Sequence, residues 1–354
     1  MRLNSKLDQS VLDLDYQEAE EAFIRLIHMD DLDNAVSLNP GLLDNFEETL
    51  NCALVNAYRN DDGCSRAHLF LQRILYQINR LKLFWFDDLN NYVNETSSCL
   101  FAIRLKIERE WATWEKSHVV TENPDRLIID QILMKRVEED LNVLPSKEGL
   151  FLRNEISLAG YKRLLAITSL DGLVEASQLS RVLGGVGNET QLTLLKILWE
   201  EYGSGKLARK HSSHFIQMLK TLNMDIRPEA YFDLVPWEVL ANINHSFLLS
   251  ERKQNYLRYI GGLLYIEVSA PSAFQNYKDA GERLGLGEEG TSYWDIHIKE
   301  DIRHGQWMLQ DVALPLLKQY EDQAWQILLG YNQQKFISVR AVKAIVESIR
   351  ELEN

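Results

Sequence analysis

The sequence predicts an all-α protein. Only seven prolines interrupt 354 residues, so long stretches carry no helix breaker. Apolar residues recur at three- and four-residue intervals, and helix formers such as Leu, Glu, Lys and Arg are abundant. Strand signals are weak throughout.

Residues 16–30, 41–59, 65–82 and 97–117 read as amphipathic helices, separated by breaks at Asn39-Pro40-Gly41 and at Asn60 to Gly63. The stretch from Val119 to Asp125, with Pro124 as punctuation, reads as a joint. Further helices are expected at about 126–142, 147–166 and 168–183, the last ended by Gly184, Gly185 and Gly187. Later helices fall at about 189–201, 206–222, 228–242, 247–268, 271–284, 292–314 and 317–351. No internal repeat and no low-complexity segment stands out. The joint divides the chain into an N-terminal helical region, 1–120, and a second domain, 121–354.

A net charge of -14 argues against a nucleic-acid partner, because phosphate binding wants a basic face. No apolar run approaches the roughly 20 residues that span a bilayer. The first residues carry no hydrophobic signal core, so a cytoplasmic location without a membrane partner is expected. Cys52, Cys64 and Cys99 are odd in number and lack metal-site spacing; they read as reduced thiols.

The chemistry concentrates in residues 294–307, WDIHIKEDIRHGQW. His297, Asp301 and His304 stand at i, i+4 and i+7, one line along a helix. That line continues into Met308 and Val312, so it should face the core, while Lys299, Glu300 and Arg303 point elsewhere. An inward Asp between two inward His is costly to bury without a partner, and a metal is one such partner.

The anomaly recurs on other helices. Glu267 lines up with Leu263, Ile260 and Tyr256, and the adjacent Gly261 and Gly262 would let another helix approach closely. Glu175 shares a line with Leu164, Thr168, Leu179 and Val182. Glu201 lines up with Ile197 and Leu194, whereas Glu200 lines up with Lys196 and Thr193 and reads as solvated. His211 aligns with Leu207, Phe215 and Met218; His214 lies close enough to the same line to compete with it. The tally is four carboxylates and three imidazoles on apolar stripes. That donor mix suits iron or manganese better than zinc, and four carboxylates balance two divalent ions. A ferritin-like arrangement needs Glu-x-x-His on two helices, and the chain offers it once, at Glu115 and His118, where a solvated helix end is the ordinary reading.

Taken singly, each residue has a plain explanation. His211 reads as a satisfied core histidine, Glu175 as a glutamate paired to an arginine, and Glu267 as a cap for the turn after it. His28, His68, His118 and His245 lack such company and read as structural. Trp199, Trp294 and Trp307 lie near the candidate ligands in sequence and are expected to shape a cavity.

Three blocks bring the candidates together: Glu175 followed by LWEEYGSG at 198–205, RKHSSHF at 209–215, and the Asp-x-His-x3-Asp-x2-His run ending at His304. These blocks, over about residues 125–330, resemble the haem-oxygenase-like diiron oxidases and oxygenases, the iron-containing redox enzymes. The resemblance implies a haem-oxygenase-like helical bundle with an extra N-terminal helical region. Carried over by position, the metal ligands are Glu175, Glu201, His211, Glu267, His297, Asp301 and His304. His214 departs from the family, which often has leucine there, as do the residues after Glu175.

The resemblance further implies two ferrous ions with O2 as co-substrate. Seven ligands and the N-terminal extension resemble the N-oxygenating members, so N-oxygenation of an amino acid or amino-acid-derived amine in specialised metabolite biosynthesis is expected. It also implies an external electron donor and a homodimer formed through residues 1–120. Oxidative C–C cleavage or desaturation of an amino or fatty acid is the alternative reading. A non-catalytic binding or maturation protein of the same fold is another.

Overall fold

A computed structural model describes residues 15–60, 64–85, 87–119 and 128–354. The break at 61–63 and most of the expected joint, 120–125, lie outside these residues. Among the described residues there is no strand, as the sequence predicts, and no helix is long and apolar enough to cross a membrane. Contacts divide the chain into two compact units, Met1–His118 and Val119–Asn354.

The first unit contains α1 (Tyr16–Ile27), α2 (Leu32–Leu38), α3 (Asp44–Tyr58), α4 (Ser65–Arg80) and α5 (Ser98–His118). Its core joins Phe23 to Phe46 and Tyr16 to Phe70 as stacked pairs, with ring centroids 4.9 and 5.1 Å apart. Helix α2 has no counterpart among the expected elements. It begins where the Asp31 carboxylate accepts the N–H of Asn34 at 3.0 Å. The Asp33 carboxylate then accepts the N–H groups of Ser98 and Cys99, at 2.8 and 3.1 Å, at the start of α5. The expectation for Glu115 and His118 needs correcting in part: His118 is exposed, but Glu115 is buried.

The second unit runs α6 (Ile129–Leu141), α7 (Lys147–Asn154), α8 (Leu158–Gly172), α9 (Glu189–Glu201), α10 (His211–Thr221), α11 (Trp237–Ser250), α12 (Tyr256–Arg283), α13 (Ser292–Trp307), α14 (Leu314–Gln319) and α15 (Trp325–Glu353). Helix α12 packs against both α13 and α15. Several boundaries differ from the periodicity reading, each for a local reason. The helix expected at 147–166 is two, because the Ser157 hydroxyl caps α8 by accepting the Gly160 N–H at 3.2 Å. The helix expected at 168–183 does not form; α8 ends at Gly172, and Ala176–Val182 is a 3-10 turn. Helix α11 starts behind Pro236, later than the expected 228. Conversely, 247–268 and 271–284 belong largely to one helix, α12, which keeps Pro271 inside it. Packing along its length overrides the missing N–H. The long helix expected at 292–314 is interrupted by a π-helical turn, Met308–Ala313, just ahead of Pro315.

Close approach of α12 and α15 depends on two glycines. A methyl group at Gly261 would lie 2.0 Å from the carbonyl oxygen of Ile327, and one at Gly330 would lie 1.9 Å from that of Arg258. Backbone cannot yield as a side chain can, so the helices would have to separate. At Gly262 the nearest atom is 3.5 Å away, an ordinary contact. Gly261→Ala is therefore expected to lower the unfolding free energy by about 1–3 kcal/mol. Gly262→Ala should leave it within roughly 1 kcal/mol, since alanine's better helix propensity works in its favour. Chemical denaturation of the two variants checks this, and equal losses would contradict it.

Candidate metal centre

Each site residue reaches the interior by a different local route. Glu201 is the last residue of α9 and His211 the first of α10. Between them the chain reverses through three left-handed residues, Gly203, Ser204 and Gly205, with φ of 65°, 51° and 79°. A Cβ at Gly203 would sit 2.4 Å from the Lys210 nitrogen, so the tight reversal needs glycine there. It brings His211 Nδ1 to 2.7 Å from Glu201 Oε2. Glu267 comes from the middle of α12. His297, Asp301 and His304 project from one face of α13, all buried.

Glu175 follows another rule. It lies on no helix, so the stripe argument that selected it does not describe its geometry. It sits between α8 and the 3-10 turn with φ 59° and ψ -161°, a conformation that costs a non-glycine residue about 1–3 kcal/mol. Its carboxylate meets His297 Nε2 at 3.1 Å and accepts the Tyr293 hydroxyl at 3.2 Å.

The result is two inward groups that share one residue, with Glu200, Glu300 and His304 forming a third beside them. Glu175, Glu201, His211 and His297 each turn a ligand atom into one cluster, and Glu201, Glu267 and His304 form the other. Glu201 belongs to both: Oε2 faces His211, and Oε1 lies 3.3 Å from His304 Nδ1. Glu267 Oε2 is 3.4 Å from the same His304 nitrogen. Asp301 stands beside the second group, with Oδ1 3.7 Å from His304 Nδ1. His211, not His214, is the histidine drawn in; His214 is only partly buried.

The three imidazoles are oriented alike. Each turns one nitrogen inward and spends the other on an acceptor outside the cluster. His211 Nε2 meets Glu300 Oε2 at 3.1 Å, His304 Nε2 meets Glu200 Oε2 at 3.0 Å, and His297 Nδ1 meets the Tyr293 carbonyl at 2.8 Å. Donation outward fixes the tautomer and leaves a lone pair pointing in, as metal-ligating histidines require. Glu200 and Glu300 are thus not the solvated bystanders that the helix phases suggest. Arg303, bonded to Glu200 at 2.7 Å, anchors that carboxylate in turn. The signal for both was the free second nitrogen of each histidine, which always needs an acceptor.

The donor set fits a pair of divalent metal ions. His211 Nδ1 and His297 Nε2 face each other at 3.1 Å, and two lone pairs at that distance require a proton or a cation between them. Glu175 Oε2 and Asp301 Oδ1 are buried with no hydrogen-bond partner. Carboxylates from four separate segments meet where like charges repel.

Electrostatics record the same crowding. Burial pushes the carboxyls of Glu267 and Asp301 up. Burial also opposes charging of Glu201, but hydrogen bonds from His211 and His304 outweigh it and hold that carboxyl well below the usual range. The histidines respond in the opposite sense. Burial works against the His211 cation, yet Glu201 and Glu300 prevail and raise its pKa to about 9. Glu201 and Glu267 likewise raise His304 to about 11.

The centre opens into a cavity of about 150 Å³ whose lining includes Asp171, Glu175, Tyr259, Glu267, Phe274 and Tyr293. Phe274 and Tyr293 pack around His297, edge-on and tilted, with ring centroids 5.3 and 4.3 Å from the imidazole. The expected tryptophan walls are not there. Trp199 is 55% exposed, Trp307 lies beside His304 under the Lys196 ammonium, and Trp294 is buried behind the wall against Tyr161.

Two outcomes follow for metal binding. Glu200→Gln and Glu300→Gln should each weaken Fe(II) affinity ~10–100-fold, measured by chelator competition, with helicity by circular dichroism unchanged. Unchanged affinity would mean that the outer acceptors do not orient the ligands. Protons and metal ions also compete for the inward nitrogens. Because the histidine pKa values are raised, protons hold on through neutrality and must leave on loading. Affinity should therefore climb between about pH 6 and pH 8, with net proton release in calorimetry run in two buffers; a flat profile would contradict this.

Comparison with known proteins bears on the same residues. The family profile described as iron-containing redox enzyme matches residues 162–333, a span that encloses all seven candidate ligands. The nitrosourea synthase of Streptomyces achromogenes subsp. streptozoticus is 28% identical over 153 residues. That alignment covers 43% of this chain and 32% of the synthase, so the likeness spans about a third of that enzyme's length. Residues 162–333 are thus similar to the iron-containing redox enzymes, and the all-α fold described above is consistent with a haem-oxygenase-like bundle.

Proposed function

We propose that the protein is a non-haem diiron oxygenase that activates O2 and N-oxygenates an amino acid or an amino-acid-derived amine in specialised metabolism. The observation that carries this reading is the pair of donor groups joined through Glu201. The ligands would be Glu175, Glu201, His211 and His297 for one ion, and Glu201, Glu267, Asp301 and His304 for the other. Two ferrous ions held there would supply the electrons that a two-electron reduction of O2 requires. The relative's name states a nitrosourea product, which carries an N-nitroso group, and supports oxidation at nitrogen. A seven-residue set, rather than a smaller one, supports it as well.

The chain's own residues have defined parts. Glu201, with one oxygen facing each group, would contribute to both sites. The Tyr293 hydroxyl, bonded to Glu175 Oε1, fixes the carboxylate whose backbone is least regular. Glu300 and Glu200 aim His211 and His304. Phe274 and Tyr293 keep bulk water from His297, so a bound substrate meets a dry, preorganised centre. The proposal extends to a cytoplasmic homodimer, made through residues 1–120, that takes electrons from an external donor.

Loading with ferrous iron under argon and counting bound metal tests the reading. The native chain should hold about two ions, and Glu201→Ala, which removes the shared carboxylate, should hold at most one. On mixing with O2, the native chain should consume it faster when a substrate amine is present. Equal iron content in both proteins, or no O2 uptake with any amine, would refute the reading.

A further inference from the structure

Five carboxylates line the cavity: Asp171, Glu175, Glu201, Glu267 and Asp301. Four of them belong to the candidate ligand set and would be neutralised by two divalent ions. Asp171 is the fifth. It lies outside every metal-holding group and at the end of α8, four residues before Glu175. Its side chain is exposed, and it lines the cavity. No hydrogen bond or ion pair from the described residues reaches its carboxylate.

The rest of the lining amplifies this unmatched charge. Among the described residues no lysine or arginine lines the cavity. The rings of Phe274, Tyr259 and Tyr293 also line it, and an aromatic face favours a cation over an anion. Leu263 and Ile243 add apolar surface for an alkyl chain. At about 150 Å³ the space is that of a benzene-sized guest.

We propose that Asp171 is the specificity-determining residue of this cavity. Its carboxylate holds the positively charged nitrogen, ammonium or guanidinium, of a small substrate that brings no carboxylate into the cavity. This rests on the oxygenase reading, which makes the cavity the substrate chamber. It narrows that reading from amino acids in general to a cationic nitrogen at the end of a short alkyl chain. The pairing is selective, because a neutral or anionic guest leaves Asp171 uncompensated.

The test uses the ferrous-loaded full chain under argon, with calorimetric titration of n-butylammonium, methylguanidinium, n-butanol and butyrate. At least one cation should bind more tightly than butanol, and butyrate should bind most weakly. Which cation wins distinguishes an ammonium from a guanidinium site. Asp171→Asn should weaken the preferred cation tenfold or more while leaving butanol binding and iron content unchanged. The assignment is overturned if the variant binds the cation as the native chain does, if it loses iron, if butyrate binds best, or if neither cation binds. Iron content and O2 uptake are read on the same preparations. A native chain that holds no iron overturns both readings, whereas intact iron and O2 uptake with an indifferent Asp171→Asn overturns this one alone.

Discussion

Four carboxylates from four separate segments converge on one buried point, and that crowding is the constraint to which the rest of the second unit answers. Bringing Glu175, Glu201, Glu267 and Asp301 together out of water is unfavourable unless positive charge meets them. The histidines supply part of it, and their raised pKa values register the demand. Divalent ions supply it more completely, without needing protons to be retained. The surrounding features serve the convergence. The glycine reversal at 203–205 folds α9 back onto α10, and Gly261 and Gly330 let α12 and α15 seat closely enough to carry Glu267 inward.

The sequence reading reached residues on regular helices through correct physics. His297, Asp301 and His304 are inward on α13 because a straight helix keeps i, i+4 and i+7 aligned, and Glu201 is inward on α9 for the same reason. Periodicity has no purchase elsewhere. Glu175 lies where the helix has already stopped, so its placement depends on a left-handed backbone that no apolar pattern announces. By phase Glu200 reads as solvated and Glu300 as turned away from the ligand line, yet both side chains reach the second nitrogens of histidines on other helices. Asp171 shares a line with Leu164 and Thr168, but the sequence reading passes over it beside Glu175. Its character emerges only once the cavity has walls.

Boundaries show the same division between local and tertiary control. Pro271 reads as a break because it lacks an N–H, but α12 runs through it, held by neighbours along its whole length. Pro236 and Ser157, in contrast, act as their chemistry suggests and start helices. Where few contacts compete, local propensity decides; where a long helix is packed along its length, packing decides. The family match covers 162–333 and so leaves the first unit without a counterpart in that comparison. The stacked rings of Phe23, Phe46, Tyr16 and Phe70 give that unit a core of its own.

The positive φ of Glu175 has a consequence for how this protein can change over time. At that position the chain would relax if glycine took its place, since a residue without Cβ adopts φ 59° and ψ -161° freely. Selection for durability alone would therefore erode the carboxylate. Its presence sets robustness against purpose, so thermostabilising engineering that follows backbone comfort would quietly disarm the centre at residue 175 first.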